Sequence, residues 1–239
     1  MAMSYVTLIL TRTPLDEFKY GGMSGRWGRL AVFQGSQIKS AKFRTAPTLP
    51  SALQPIVPIA QAAAAPIQRA MDAMGIRSSE QTCPLIPFAE RALELALADG
   101  GTVTKLYEFD TMERFKADSG KGFYMQTRPR TEPYELSMIR SSAVAELDKK
   151  YAMKLNPEGQ CLKVHGHGYK QQGTGAEAGI LIHEAPHVGW LIGCISPREK
   201  NKRKQGDDRG PSQQAMKLIF DAMGGFSVGT RASLIVLDW

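Results

Sequence analysis

The chain has 239 residues, 43% of them hydrophobic and 22% charged, which suits one sizeable soluble domain or one domain with a large insertion. Its formal net charge of +7 admits a nucleic acid, an anionic envelope polymer or a membrane surface as partner. Three cysteines, Cys83, Cys161 and Cys194, are too few and too odd in number for a disulfide framework. No run approaches the roughly 18 apolar residues of a membrane helix.

The opening MAMSYVTLILTRT lacks the basic start and small-residue cleavage site of a signal peptide. Synthesis in the cytosol, outside the general secretory route, is therefore expected. Tyr5 to Leu10 alternates as a strand, and Gly28 to Gly35 reads as a second, with the Gly-rich stretch Asp16–Trp27 as their connection. From about 46 to 101 the texture turns rich in Pro and Ala. Helices are expected at Pro66–Met74 and Pro87–Ala98, forming an insertion in a β-rich domain or a docking appendage. Strand patterns return at TVTKLYEFD (102–110) and GFYMQTRP (122–129). A helix capped by serine is expected over Ser141–Leu155. CLKVHGHGY follows, and then AGILIHEAPHVGWLIGCI, in which GILIH reads as a strand delivering His183, EAPHVGW as a loop and LIGC as the return that presents Cys194. Pro197–Arg209, charged and poor in apolar residues, reads as a solvated loop rather than a phosphate-contacting arm, since it lacks interleaved aromatics. GPSQQAMKLIFDAMGG is a helix with Met216, Ile219, Phe220 and Met223 on one face and a stop at Gly224. ASLIVLDW is a closing strand. The expected fold is α+β: one domain over 1–239, a mostly antiparallel sheet or small barrel with a helical insertion and a C-terminal helix and strand.

All four histidines fall between His165 and His187, and Cys161 and Cys194 flank them. Scatter alone would rarely confine every histidine to so short a window. One chemistry for such a cluster is zinc: imidazole and thiolate are its preferred donors, and His165 and His167 alternate as on one face of a strand. Yet there is no C-x-x-C, and HEAPH carries Pro186 where a metalloprotease would need a helix. The other chemistry is a cysteine nucleophile. Cys194 follows Gly193 at the end of an apolar run, with His183 eleven positions upstream to serve as base. Gly193 would let a carbonyl approach, and nearby backbone N–H groups would hold its oxyanion. Against both stands the plain alternative of an inert buried thiol and ordinary core histidines.

The order His, loop, Gly-Cys-Ile over Ile182–Ile195 resembles the active-site signature of L,D-transpeptidase catalytic domains, which remodel peptidoglycan through a cysteine acyl-enzyme. The short spacing is similar to a divergent branch that includes phage-associated domains and type VI secretion effectors. The resemblance implies a barrel-like L,D-transpeptidase fold, Cys194 as nucleophile, His183 as base and Gly193 in the oxyanion turn. Beside these, His187, His165, His167, Trp190 and Arg198 are candidates to line the same cleft and contact the substrate. The resemblance implies peptidoglycan stem peptides as substrate, no cofactor or metal, no nucleic-acid or membrane partner, and export to a target periplasm with an immunity protein or secretion machinery as partner. The chain departs from the larger family at Leu191-Ile192, where Ser-His is usual, and at Ser196, where Arg is usual. Two alternatives remain beside this reading. One is a non-catalytic secretion- or phage-associated module; the other is a zinc-dependent hydrolase using His165, His167, His183 and His187.

Overall fold

The structure is a computed structural model; it describes residues 5–44, 93–116, 127–150, 158–171, 173–191, 193–203 and 210–238. The chain divides into two compact units, residues 1–41 with 95–239, and residues 42–94. Most of the second unit, including the expected helix at Pro66–Met74, Cys83 and residues 87–92, lies outside the described residues.

The first unit is built on a closed eight-stranded barrel. Its strands in chain order are β1 (Tyr5–Tyr20), β2 (Met23–Gly35), β5 (Val103–Lys116), β6 (Arg130–Arg140), β7 (Gln160–Val164), β8 (Leu181–Ile182), β9 (Ile195–Glu199) and β10 (Arg231–Asp238). Around the barrel they run β1-β10-β6-β7-β8-β9-β5-β2 and back to β1. The pairings β1–β10 and β8–β9 are parallel; the others are antiparallel. A separate two-stranded sheet pairs β3 (Ile38–Phe43) with β4 (Leu93–Leu97).

Period-two patterning decides which side chains enter the barrel. Val6, Leu8 and Leu10 of β1, Leu30 and Val32 of β2, Leu136 and Met138 of β6, Leu162 and Val164 of β7 and Leu234 and Val236 of β10 form one buried cluster. Ile182 and Ile195 join it from the two short strands that flank the histidine loop. A second cluster contains Phe18, Trp27, Met112, Cys161, Leu181, Val188, Trp190, Leu191 and Cys194. On β5, β7 and β8 its members alternate with those of the first, so it covers the outer wall of the barrel. The loop after β8 is therefore packed onto the barrel rather than held out in solvent.

Several sequence expectations change here. Asp16–Trp27 is not a loose connection but the distal half of a long β1–β2 hairpin. Tyr20 pairs with Met23, and Gly21 and Gly22 take φ of 54° and 82°, the left-handed backbone of a two-residue hairpin turn. Leu93–Leu97, expected inside a helix, is β4: its burial alternates, and pairing with β3 overrides the helix propensity of Leu, Glu and Ala. The strand expected at 122–129 instead begins at Arg130, with 127–129 irregular and 122–126 outside the described residues. Pro133 hid β6 from a propensity reading; it has no N–H to donate, and the β6–β10 register shifts beside it. Pro197–Arg198–Glu199, read as a solvated loop, is most of β9, with Arg198 fully buried.

The helices follow their capping signals. Helix α1 (Ser142–Lys150) starts under Ser141, whose Oγ accepts from Val144 N–H at 3.4 Å. Helix α2 (Gly210–Ala222) ends in paired bonds, Gly225 N–H to Phe220 O and Gly224 N–H to Asp221 O, with Gly224 at φ 88°. Its Ala215, Met216, Ile219 and Phe220 join the first core cluster. Among the described residues no helix is long and apolar enough to cross a membrane.

The hairpin supplies one stability prediction. Phe18 and Gly25 are cross-strand partners, and a Cβ on Gly25 would collide with the Phe18 ring, which also packs on Trp27 at a centroid distance of 4.8 Å. Gly25→Ala should displace that ring and destabilise the protein by roughly 1–3 kcal/mol. A denaturant midpoint unchanged from wild type would show that Phe18 is not fixed there.

Candidate active site

The histidine loop is held at both ends by one short parallel contact. Ile182 and Ile195 are partners, and His183 N–H donates to Ile195 O at 3.0 Å. In a strand, alternate residues share a face. Ile182 and Ile195 face the barrel core, so Leu181, His183 and Cys194 lie on the outer wall. By the same registers Leu181 lies beside Cys194, Ser196 flanks His183, and Cys161 of β7 lies across from His183. The chain thus returns Cys194 to the strand position diagonal to His183, after a loop of ten residues.

Between them the loop makes one 3₁₀ turn, Val188–Trp190, with Val188, Trp190 and Leu191 buried in the outer cluster. Gly193 takes φ 78°, a backbone that favours glycine, immediately before the cysteine. Arg198 fastens the loop from below: its Nη1 donates to Pro186 O at 3.1 Å. A buried serine pair, Ser196 and Ser212, ties α2 to the same place. The two Oγ atoms are 2.9 Å apart, and Ser212 Oγ accepts from Ala185 N–H at 3.2 Å and donates to Pro197 O at 2.8 Å.

His183 is 3% exposed, and its Nδ1 lies 2.7 Å from Glu184 O. A carbonyl only accepts, so Nδ1 carries the proton and Nε2 holds the lone pair. Burial lowers the pKa of the imidazole from 6.5 to about 4, against the raising effect of that hydrogen bond. It is therefore neutral at pH 7 and has its basic nitrogen opposite the anchored one. Cys194, 7% exposed, directs Sγ at Gly179 O, 3.9 Å away. In this conformation each group is aimed at a backbone carbonyl rather than at the other.

The depressed pKa has a consequence for stability. The folded protein favours the neutral ring, so the stabilisation is complete above pH 6.5 and is lost as the pH falls toward 4. The loss over that interval should reach about 3 kcal/mol. His183→Gln should flatten this part of the stability–pH curve; an unchanged slope in denaturant titrations would place the titrating group elsewhere.

The remaining sequence candidates divide into two groups. His187 stacks on Tyr20, with ring centroids 4.9 Å apart, and meets Trp190 edge-on at 6.2 Å. Its Nδ1 accepts from Gly189 N–H at 3.1 Å. His187 thus lies against Tyr20 at the tip of the β1–β2 hairpin, and Trp190 shares the outer cluster with Cys194. Arg198 belongs to the loop's support rather than to an open surface. His165 and His167 form a second group around Glu177, at 3.5 Å and 3.8 Å. They do not alternate along a strand as expected, because β7 ends at Val164 and Gly166 and Gly168 take φ of 75° and 81°. His165 Nε2 lies 2.7 Å from Ser137 Oγ. His167 Nδ1 accepts from Tyr169 N–H, which leaves Nε2 to donate to Ala178 O. Among the described residues no three His, Cys, Asp or Glu side chains converge as a metal-ligand set.

Sequence reasoning missed Glu177, Gly179, Tyr20 and the Ser196–Ser212 pair. None carries a local motif; each acquires its role from contacts between segments distant in sequence. A cavity of about 480 Å³, lined by Gln160, Glu184, Gln213, Gln214, Met216 and Phe220 among others, lies along α2, and Cys194 and His183 are not in its lining. Compared with family models, with curated proteins and with solved structures, the chain has no match in any of the three.

Proposed function

We propose that the protein is a cysteine acyl-transfer enzyme of L,D-transpeptidase type, acting on peptidoglycan stem peptides as a carboxypeptidase, transpeptidase or D-amino acid exchange enzyme. The observation that carries this reading is the placement of a neutral, Nδ1-anchored His183 and of Cys194 at diagonal positions on either side of the parallel contact that closes the histidine loop. Because the imidazole is neutral, the thiol proton moves to Nε2 as sulfur attacks, rather than beforehand. Sγ adds to the carbonyl carbon of the L-to-D amide, and backbone N–H groups at the Gly193–Cys194 turn receive the oxyanion. The C–N bond then breaks, His183 returns the proton to the leaving amine, and a thioester remains. Water or an amine attacks the thioester, gives its proton to His183, and releases Cys194 as the thiol. The L,D-transpeptidase fold type, export to a target periplasm, and a cognate immunity or secretion partner belong to the same proposal.

A second reading has its own support: Cys194 is packed among Trp27, Met112 and Leu191, as in a binding module whose site has lost its chemistry. Incubation of the full chain with purified stem tetrapeptides, with and without a D-amino acid, separates the two by mass spectrometry. A tripeptide or an exchanged tetrapeptide is the expected product. No turnover, and no mass added to Cys194, would leave the binding module.

A further inference from the structure

The carbonyl that faces the thiol belongs to the chain itself, and so does a carboxylate two residues before it. Residues 169–171 and 176–178 form a short hairpin, through the Lys170–Glu177 bridge and the bonds Gln171 N–H to Ala176 O and Ala178 N–H to Tyr169 O. Its returning limb places Gly179 O 3.9 Å from Cys194 Sγ. Its Glu177 carboxylate accepts from Gly166 N–H at 2.6 Å and lies 3.9 Å from Lys163 Nζ and 3.5 Å from His165 Nδ1. Ser137 fixes the far nitrogen of His165.

This cradle belongs to the same wall as the thiol. Ser137 pairs with Lys163, Lys163 with Leu181, and Leu181 lies beside Cys194, so the four occupy one row across β6, β7, β8 and β9. Strand spacing puts Lys163 roughly 10 Å from Cys194 along that row. Lys163 and His165 are 28% and 33% exposed, so the row opens to solvent at its cationic end. Burial alone would raise the pKa of Glu177. The Gly166 N–H, followed by His167, Lys163 and His165, outweighs it and holds the carboxyl below its ordinary range.

We propose that Lys163, His165 and the Gly166 N–H form a carboxylate-binding subsite of the thiol site, filled in the unliganded protein by the chain's own Glu177. The limb Glu177–Gly179 then occupies the place of a peptide that turns at the sulfur, with an acidic group two residues ahead of the carbonyl there. Carboxylate binding stands on the cradle alone; that the carboxylate is the substrate's rests on the acyl-transfer reading. A tethered carboxylate competes at an effective concentration in the millimolar range or above, so a free one binds only weakly while Glu177 is in place.

The test is binding of glutarate to the full chain, followed by the ring signals of isotope-labelled His165. Glu177→Ala should bind glutarate at least about tenfold more tightly than wild type. Adding Lys163→Met should remove the gain, and uncharged glutaramide should not bind. Glu177→Gln keeps an acceptor for Gly166 and replaces the alanine protein if that fails to fold, with the same expected order. Equal affinity in wild type and the Glu177 variants, absence of binding to either, or a gain that survives Lys163→Met overturns the subsite. Because the readout is binding, Lys163-dependent capture in a protein without turnover supports the subsite and refutes only the enzyme reading.

Discussion

On the proposed acyl-transfer reading, Cys194→Ala is expected to lower turnover of stem tetrapeptides by at least about 10³-fold while leaving the fold intact, because it removes the atom that would form the acyl bond. The thiol packs in the outer cluster, so its loss should cost only about 1 kcal/mol, readable as a small shift in the denaturant midpoint. On the same reading His183→Ala should fall nearly as far, since it removes the proposed base, whose Nδ1 is held by Glu184 O and whose Nε2 carries the lone pair. The two substitutions together should cost little more than Cys194→Ala alone, because nucleophile and base act as one unit. Full activity in Cys194→Ala would end the proposal. Full activity in His183→Ala alone would move the base elsewhere, and His187, stacked between Tyr20 and Trp190, would be the first to test.

The largest stability effect is expected inside the barrel. Arg12 continues the inward row of Val6, Leu8 and Leu10, and Glu113 continues that of Phe109 and Thr111. They meet as a two-pronged ion pair, Nε to Oε2 and Nη2 to Oε1, both at 2.6 Å, while Nη1 donates to Thr127 O at 2.6 Å. Burial by itself would lower the pKa of the guanidinium. The charge and hydrogen bonds of Glu113 more than reverse that, and Arg12 is held above its ordinary value. Arg12→Ala leaves a carboxylate that is 3% exposed without its counter-ion, and should destabilise the protein by about 3–5 kcal/mol. Replacing both partners, as Arg12→Met with Glu113→Leu, should restore most of that loss, since an apolar pair of similar volume removes the stranded charge. Urea unfolding of the three proteins checks the pattern. A loss below about 1 kcal/mol for Arg12→Ala would mean that solvent reaches Glu113.

What could be read from the sequence follows the range of the forces involved. The cores of β1, β2, β5 and β10, both described helices and their caps depend on neighbours within a few residues, and alternation or capping residues announce them. The same holds for the order His183, loop, Gly193, Cys194. The distal half of the β1–β2 hairpin was obscured by its glycines and charges, although the Gly21-Gly22 pair is itself a hairpin turn signal. β4 and β6 were hidden because pairing partners, not propensity, decide them: β3 draws Leu93–Leu97 into a sheet, and β10 accepts Pro133 at a shift of register. The carboxylate cradle had no signal at all. Lys163, His165 and Glu177 converge only because a hairpin folds back, and Arg12 finds Glu113 only because β1 and β5 flank the same strand, β2.

Closure of the barrel governs the order in which the protein can form. The parallel seam between β1 and β10 joins Thr7 to Ser233, so β1 waits until the chain has been made as far as β10 before its second neighbour exists. Until then β1 and β6 each present an unpaired edge, and the Arg12–Glu113 charges lie in a sheet still open to water. Contacts so distant in sequence slow folding and lengthen the time for which such edges are exposed to other chains. Refolding should therefore be slow and strongly concentration-dependent in yield, and shortening β10 from its C-terminal end should turn a folding protein into an aggregating one before it alters the histidine loop.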